Sequence, residues 1–127
     1  MKTLKLLYVV ILILVTTSCV QQAQPKTIIV KVDMNAIENA SEVGLRGANP
    51  LSWNETTFLN DNNKDGIYEG SFEIYTASYD VEFKFVTNDS VFELQDQNNR
   101  SLTFEYKPET ITYEAVFNDQ KAKITRK

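Results

Sequence analysis

The sequence contains no histidine and only one cysteine, Cys19. Without histidine, the chain cannot form a Ser-His-Asp triad or a histidine-bearing metal centre, and no serine lies in a G-x-S-x-G nucleophile elbow. Paired carboxylates remain possible catalytic groups, since the chain has 17 Asp and Glu. These acids lie mostly at alternating strand positions or in turns, where no deep cleft raises a carboxyl pKa. We therefore expect no enzymatic activity and no cofactor.

Long hydrophobic runs are also missing, apart from one near the amino terminus. Met1 to Lys5 is basic, and Leu6 to Val15 is an unbroken run of ten apolar residues. A membrane-spanning helix needs about 20 such residues, so this segment is typical of a secretory signal peptide. The alternative is a permanent transmembrane anchor.

Cys19 follows the apolar run directly, with the small residue Ser18 before it. This arrangement resembles the lipobox of bacterial lipoproteins, in which the cysteine is acylated after cleavage. Thr16 departs from the motif, where an aliphatic residue is usual, and an ordinary signal peptide with an unrelated cysteine is the alternative. The resemblance implies a lipoprotein signal peptide over 1–18, a polar tether over 19–26 and a domain over 27–127. It also implies attachment to a membrane of the bacterial cell envelope, with the outer membrane favoured.

The chain has fewer basic residues than acidic residues. It has 13 Lys and Arg and a net charge of −4. If residues 1–18 are removed, 11 Lys and Arg remain against 17 Asp and Glu. Nucleic-acid binding depends on a basic patch, so nucleic acid is not an expected partner.

From Thr27 onward, short alternating segments predict strands separated by polar breaks. On the segment from Tyr79 to Val86, alternation places Val81, Phe83 and Phe85 on one face. About eight such segments predict an all-β fold, an antiparallel sandwich of about seven to eight strands. The clearest segments are TIIVKVDM, EVGLRG, GIYEGSFEIY, YDVEFKFV, SLTFEY, ITYEAVF and AKIT.

The segment from Asp61 to Gly66, DNNKDG, begins like a calcium-binding loop. The match fails at its twelfth position, which is Phe72 where a bidentate Glu is required. Asn, Asp and Gly also suit hairpin connections because they tolerate positive φ. We interpret the segment as a turn and expect no metal site, with an incomplete calcium site as the alternative.

Two aromatic residues are candidates for ligand contact. Trp53 is the only tryptophan and lies in a loop segment, NPLSWN, between strand-like segments. An exposed ring there would offer a flat apolar surface for a sugar, whereas a buried ring would close one end of the sandwich. Phe92 follows Val91, so the two side chains face opposite sides of a strand and one of them is outside. Lys84 is on the outer face of its strand, either as a hydroxyl donor or as a solvated charge.

These segments together resemble a starch-binding carbohydrate-binding module of family 20, or a glycogen-binding relative. The resemblance covers most of 27–103, and its specific parts are EFKFV and NRSLT. It implies an immunoglobulin-like sandwich and binding of starch or another α-glucan, or of a different polysaccharide. Trp53 would be one stacking ring, Phe92 the second where the family has tryptophan, Lys84 a hydroxyl donor and Asn99 a glucose ligand.

The loop before Asn99 and Arg100 is about two residues longer than is usual in that family. We expect Arg100 to pair with a nearby acid and serve the fold. The alternative function is a structural lipoprotein, or a module that contacts an envelope protein partner with the same fold and without sugar binding.

Overall fold

A computed structural model of the chain describes residue 3 and residues 21–127. The predicted signal peptide, apart from residue 3, and the predicted lipidation site at Cys19 lie outside the described residues. Within the described part of the chain, no helix is long and apolar enough to cross a membrane.

All regular structure in residues 21–127 is β-strand, and each of the seven segments named from alternation overlaps a strand. Two further strands, of two residues each, are too short for alternation to predict. The nine strands are β1 (Gln24–Asp33), β2 (Gly44–Gly47), β3 (Thr57–Phe58), β4 (Ile67–Thr76), β5 (Asp80–Thr87), β6 (Val91–Phe92), β7 (Arg100–Thr103), β8 (Glu109–Val116) and β9 (Ala122–Arg126).

The strands form the two sheets of a β-sandwich. The first sheet has the order β4-β1-β8-β9, and the second has the order β3-β2-β5-β6, with β7 also paired to β5. The described strand pairs are antiparallel except β1 and β8, which run parallel. The first sheet is therefore mixed, where antiparallel pairing was expected. Its strand β1 lies between β4 and β8, antiparallel to β4 and parallel to β8.

Alternation along β5 divides core from surface as predicted. Val81, Phe83 and Phe85 are buried between the sheets, whereas Glu82 is exposed and Lys84 is half-buried on the outer face. The rings of Phe83 and Phe85 meet edge to face with centroids 5.6 Å apart, a favoured aromatic geometry. Glu82 and Lys84 are thereby left on the outer face of the second sheet.

The first strand begins at Gln24, so the last three residues of the expected tether belong to the sheet. Lys26 is buried, and its ammonium group donates hydrogen bonds to the carboxylate of Glu109 and to the backbone oxygens of Glu105 and Lys107. The folded domain thus starts before Thr27.

Each end of the sandwich can be named by the end of β1 that lies there. Gln24 pairs with Thr76, and β5 begins shortly after it, at Asp80; we call this the Gln24 end. Asp33 pairs with Ile67 at the other end, which we call the Asp33 end.

Candidate functional site

Trp53 and Phe92 lie side by side on the outer face of the second sheet. Their ring centroids are 6.3 Å apart and their planes are inclined by 37°. Trp53 is 38% exposed and Phe92 is half-buried. The sequence suggested an exposed Trp53, and the structure also brings it next to Phe92, although three strands lie between them in the chain. We call the two rings the aromatic pair.

Backbone hydrogen bonds hold the loop that carries Trp53. The amide of Leu51 donates to the oxygen of Ala48 at 2.8 Å, and the amide of Gly47 donates to the oxygen of Ser52 at 3.1 Å. The hydroxyl of Ser52 also accepts a bond from the amide of Asn54 at 3.1 Å. The indole is therefore presented by a tight, internally bonded turn directly after β2.

Phe92 is positioned by strand pairing. It pairs with Val86 across β5 and β6, and such partners project from the same face of a sheet. Val86 is fully buried but lies outside the main core cluster, as expected of an apolar residue on the outer face that is covered from above. Val91 is 45% exposed, so it is more exposed than Phe92.

Arg46 joins the two rings, and the sequence analysis did not single it out. Its guanidinium carbon lies 5.8 Å from the centroid of Phe92, and its Nη1 donates to the backbone oxygen of Trp53 at 3.3 Å. Its Nε donates to the hydroxyl of Thr56 at 2.8 Å, and its Nη2 lies 3.6 Å from the carboxylate of Asp89. A cation over an aromatic face is stabilising, so Arg46 fixes the pair from one side.

Lys84 pairs with Arg46 across β2 and β5. Its ammonium group donates to the backbone oxygens of Leu94 at 2.8 Å and Gln97 at 3.1 Å. A lysine ammonium has three N–H donors, so these two bonds leave one. Lys84 is therefore a support for the loop between β6 and β7, with one donor to spare, where the sequence offered a free hydroxyl donor or a solvated charge.

Asn99 lies in the same region, just before β7. Its side-chain amide donates to the carboxylate of Glu82 at 3.3 Å, and Glu82 projects from the outer face two residues before Lys84. Asn99 itself is exposed. The structure thus brings Trp53, Phe92, Lys84 and Asn99 to one sheet face.

A buried ion pair underlies this face. Arg100 and Glu93 are both fully buried, and Arg100 donates to the Glu93 carboxylate at 2.6 Å and 2.9 Å. The same carboxylate accepts bonds from the amides of Phe85 and Asn118. Arg100 therefore serves the fold by pairing with an acid, as expected.

The pKa of Arg100 reflects this environment. Burial acts to lower the pKa of the guanidinium, but its hydrogen bonds with Glu93 and Tyr113 outweigh burial and raise the pKa above the ordinary value. The guanidinium of Arg100 therefore stays charged at neutral pH.

The segment from Asp61 to Gly66 is a turn between β3 and β4. The carboxylate of Asp61 accepts bonds from the amides of Asp65 and Gly66, and Gly66 has a φ of 83°. The bond from the Ile67 amide lowers the pKa of Asp65 below its ordinary value. The carboxylates of Asp61 and Asp65 thus accept hydrogen bonds from the turn's own backbone. Among the described residues there is no group of three or more His, Cys, Asp or Glu side chains that could hold a metal ion.

Arg46 and Glu82 are the site residues that sequence reasoning missed. Alternation was the available signal, since Leu45 faces the core and Arg46 must then face outward with Lys84. Their roles depend on contacts with distant loops, which alternation does not reveal.

No protein-family model matches the sequence, and no curated protein matches it. Among solved structures, the chain is similar to the solution structure of the CBM25-1 of beta/alpha-amylase from Paenibacillus polymyxa. That likeness has a TM-score of 0.42 and 14% sequence identity, and it covers 81% of this chain and 93% of that chain. The residues of the outer face are therefore interpreted from their own geometry.

Proposed function

We propose that the chain binds a polysaccharide, an α-glucan such as starch or glycogen, through the outer face of its second sheet. The observation that carries the proposal is the aromatic pair, with Trp53 38% exposed and 6.3 Å from Phe92. A sugar ring presents C–H groups on its flat faces, and exposed aromatic rings bind such surfaces.

The inclination of the two rings favours a curved chain of sugars. The ring planes of Trp53 and Phe92 are inclined by 37°. Such rings match a polymer whose successive sugar rings are rotated relative to each other, as in the helical α-glucans. Flat β-glucan ribbons are matched better by coplanar rings. We therefore place α-glucans ahead of β-glucans as ligands.

Polar groups on the same sheet face as the pair can contact sugar hydroxyls. Lys84 retains one N–H beyond its two loop bonds, and exposed Asn99 has a second amide N–H beside its bond to Glu82. Both groups are already held in place, so a ligand need not restrain them at full entropic cost. They supply direction, whereas the rings supply the apolar contact.

The proposed setting is a bacterial cell envelope. Cleavage before Cys19 and acylation of its thiol would anchor the domain to a membrane, with the outer membrane favoured. In this role the protein retains polysaccharide at the membrane and does not cleave it. We expect no release of reducing sugar from any glucan.

The test is affinity electrophoresis of the purified chain in gels that contain amylopectin, glycogen or a β-glucan. We expect retardation by the two α-glucans. Trp53→Ala should weaken retention at least about tenfold, or about 1.4 kcal/mol, because it removes the larger ring. Tyr75→Ala is the matched control, since Tyr75 is an exposed aromatic (74%) at the Gln24 end.

Unchanged mobility in all three gels would overturn glycan binding. Equal losses for Trp53→Ala and Tyr75→Ala would show that retention does not depend on the aromatic pair. In the first case, a module that contacts an envelope protein through the same face becomes the better hypothesis.

A further inference from the structure

Three exposed tyrosines lie at the Gln24 end of the sandwich. Tyr75, Tyr79 and Tyr106 are 74%, 63% and 51% exposed. Tyr75 pairs with Pro25 at the start of β1, Tyr79 immediately precedes β5, and Tyr106 lies in the loop between β7 and β8. We call these three side chains the tyrosine rim.

The rim is not explained by packing. The other two tyrosines in residues 21–127 are Tyr68 and Tyr113, which pack against or within the core. The rim tyrosines also lie at the opposite end of β5 from Val86, the strand partner of Phe92. They are thus outside both the core and the proposed glucan site.

Several charges near the rim are paired with each other. Lys107 lies 2.8 Å from Glu105, and Glu109 binds both Lys26 and Arg126 at 2.6 Å and 2.8 Å. A paired charge loses less on leaving bulk water than an isolated one. Its aromatic side chains have an apolar body and a polar tip, the type that prefers the membrane–water interface.

We propose that the Gln24 end is a membrane-contacting surface, with the tyrosine rim seated in the headgroup layer of a phospholipid bilayer. This inference rests on the lipid anchor of the proposed function. Cys19 precedes Gln24 by five residues, and five residues span at most about 17 Å. An acyl chain at Cys19 therefore keeps the rim within reach of the bilayer.

The arrangement orients the proposed glucan site away from the membrane. Val86, beneath Phe92, lies six residues beyond Asp80 along β5, which is about 20 Å at the usual rise of a strand. Seating the rim would hold the aromatic pair above the bilayer surface and keep its ring faces open to a polymer. A free tether would let the domain tumble.

The experiment uses the full acylated chain in vesicles of phosphatidylethanolamine and phosphatidylglycerol that contain nitroxide-labelled lipid. Acylation occupies the thiol of Cys19, so Ser78→Cys introduces a unique thiol beside the rim for a fluorescent label. Asn62→Cys is the matched control in an exposed loop next to the Asp33 end. We expect strong quenching of the label at position 78 and none at position 62.

A second variant separates the rim from the tether. Replacing Tyr75, Tyr79 and Tyr106 together by serine leaves the anchor intact, and we expect it to abolish most of the quenching at position 78. Phe58→Ser is the control, because Phe58 is 51% exposed but lies far from the rim on β3; it should leave the quenching unchanged.

Equal quenching at positions 78 and 62, or full quenching at 78 in the serine variant, overturns the membrane-contacting surface. A chain that does not float with vesicles at all overturns the anchor together with it. Retention in amylopectin gels is independent of both results, so failure of this inference is distinguishable from failure of glucan binding. The serine variant should be retained in those gels like the parent chain.

Discussion

Phe92 is the smaller ring of the aromatic pair, and its neighbours limit what it can offer a ligand. One face lies near Arg46, at 5.8 Å from the ring centroid, and Trp53 is 6.3 Å away. The ring has no N–H donor and less area than an indole. Much of the proposed binding energy must therefore come from Trp53.

We predict that Phe92→Trp tightens glucan binding by about 0.5 to 1.5 kcal/mol, the range found for added aromatic contacts. The larger ring buries more apolar area and adds a donor. Isothermal titration with maltoheptaose measures the change. Tyr75→Trp, which enlarges an exposed ring at the Gln24 end, should leave the affinity unchanged, and an equal gain in both variants would contradict the role given to Phe92.

The sequence indicated Trp53, Phe92, Lys84 and Asn99 as a set through the family resemblance, whereas alternation indicated an outer face only for Lys84 and for one of Val91 and Phe92. It did not predict that Lys84 is bonded to Leu94 and Gln97. Those acceptors are backbone oxygens, whose positions depend on the path of a loop and not on residue type.

The loop between β6 and β7 depends on two supports, one above the sheet and one below it. Lys84 binds it from the outer face, and the buried pair of Glu93 and Arg100 holds its two ends. Since Asn99 is part of this loop, its position on the outer face relies on both supports.

We predict that Lys84→Met loosens this loop and lowers the free energy of unfolding by about 1 to 3 kcal/mol, because two charge-assisted hydrogen bonds are lost. Amide hydrogen exchange should quicken selectively at residues 94–99. Lys31→Met is the control, since Lys31 pairs loosely with Glu69 at 3.8 Å on the first sheet and such exposed pairs contribute little. An equal acceleration of exchange across the whole domain in Lys84→Met would contradict a local role of Lys84 in this loop.

We predict a larger effect for Arg100→Met. Removing one partner of a buried ion pair leaves the other charge uncompensated, at a cost of about 3 to 5 kcal/mol. Urea unfolding of the parent and variant chains measures it. In a double-mutant cycle with Glu93→Gln, the two losses should be strongly non-additive; simple addition would show that the pair is not coupled.

The long strands were predictable from the sequence because alternation between core and solvent marks them over eight or more residues, as in β1 and β5. Strands β3 and β6 have two residues each, too few for a period to show. The parallel pairing of β1 with β8 was not predicted either, since pairing between distant strands leaves no local signal.

The whole domain carries an acid-sensitive contact at the Gln24 end. Burial acts to raise the pKa of Glu109, but its bonds with Lys26, the Glu105 amide and Arg126 outweigh burial and hold the pKa below the ordinary value. A carboxyl whose folded pKa is depressed stabilises the fold above its unfolded pKa of about 4.3, and the stabilisation is lost as pH falls through the folded pKa.

We predict that the free energy of unfolding falls as the pH drops below about 4.5, and that Glu109→Gln loses part of this dependence. The difference between parent and variant should be largest near neutral pH and shrink in acid. Urea unfolding across that range measures it. Glu114→Gln is the control, on the same strand, and a parallel pH profile for Glu109→Gln and the parent would contradict the prediction.

The central position of β1 has a mechanical consequence for an anchored protein. β1 forms ladders along its length with β4 on one side and β8 on the other, and the predicted anchor would pull on its first residue. Tension between the membrane and a bound polymer then acts along the strand, while the interstrand hydrogen bonds lie across it. Both ladders of β1 therefore bear the load in shear. Pulling β1 out of the sheet would require the hydrogen bonds to β4 and to β8 to break together.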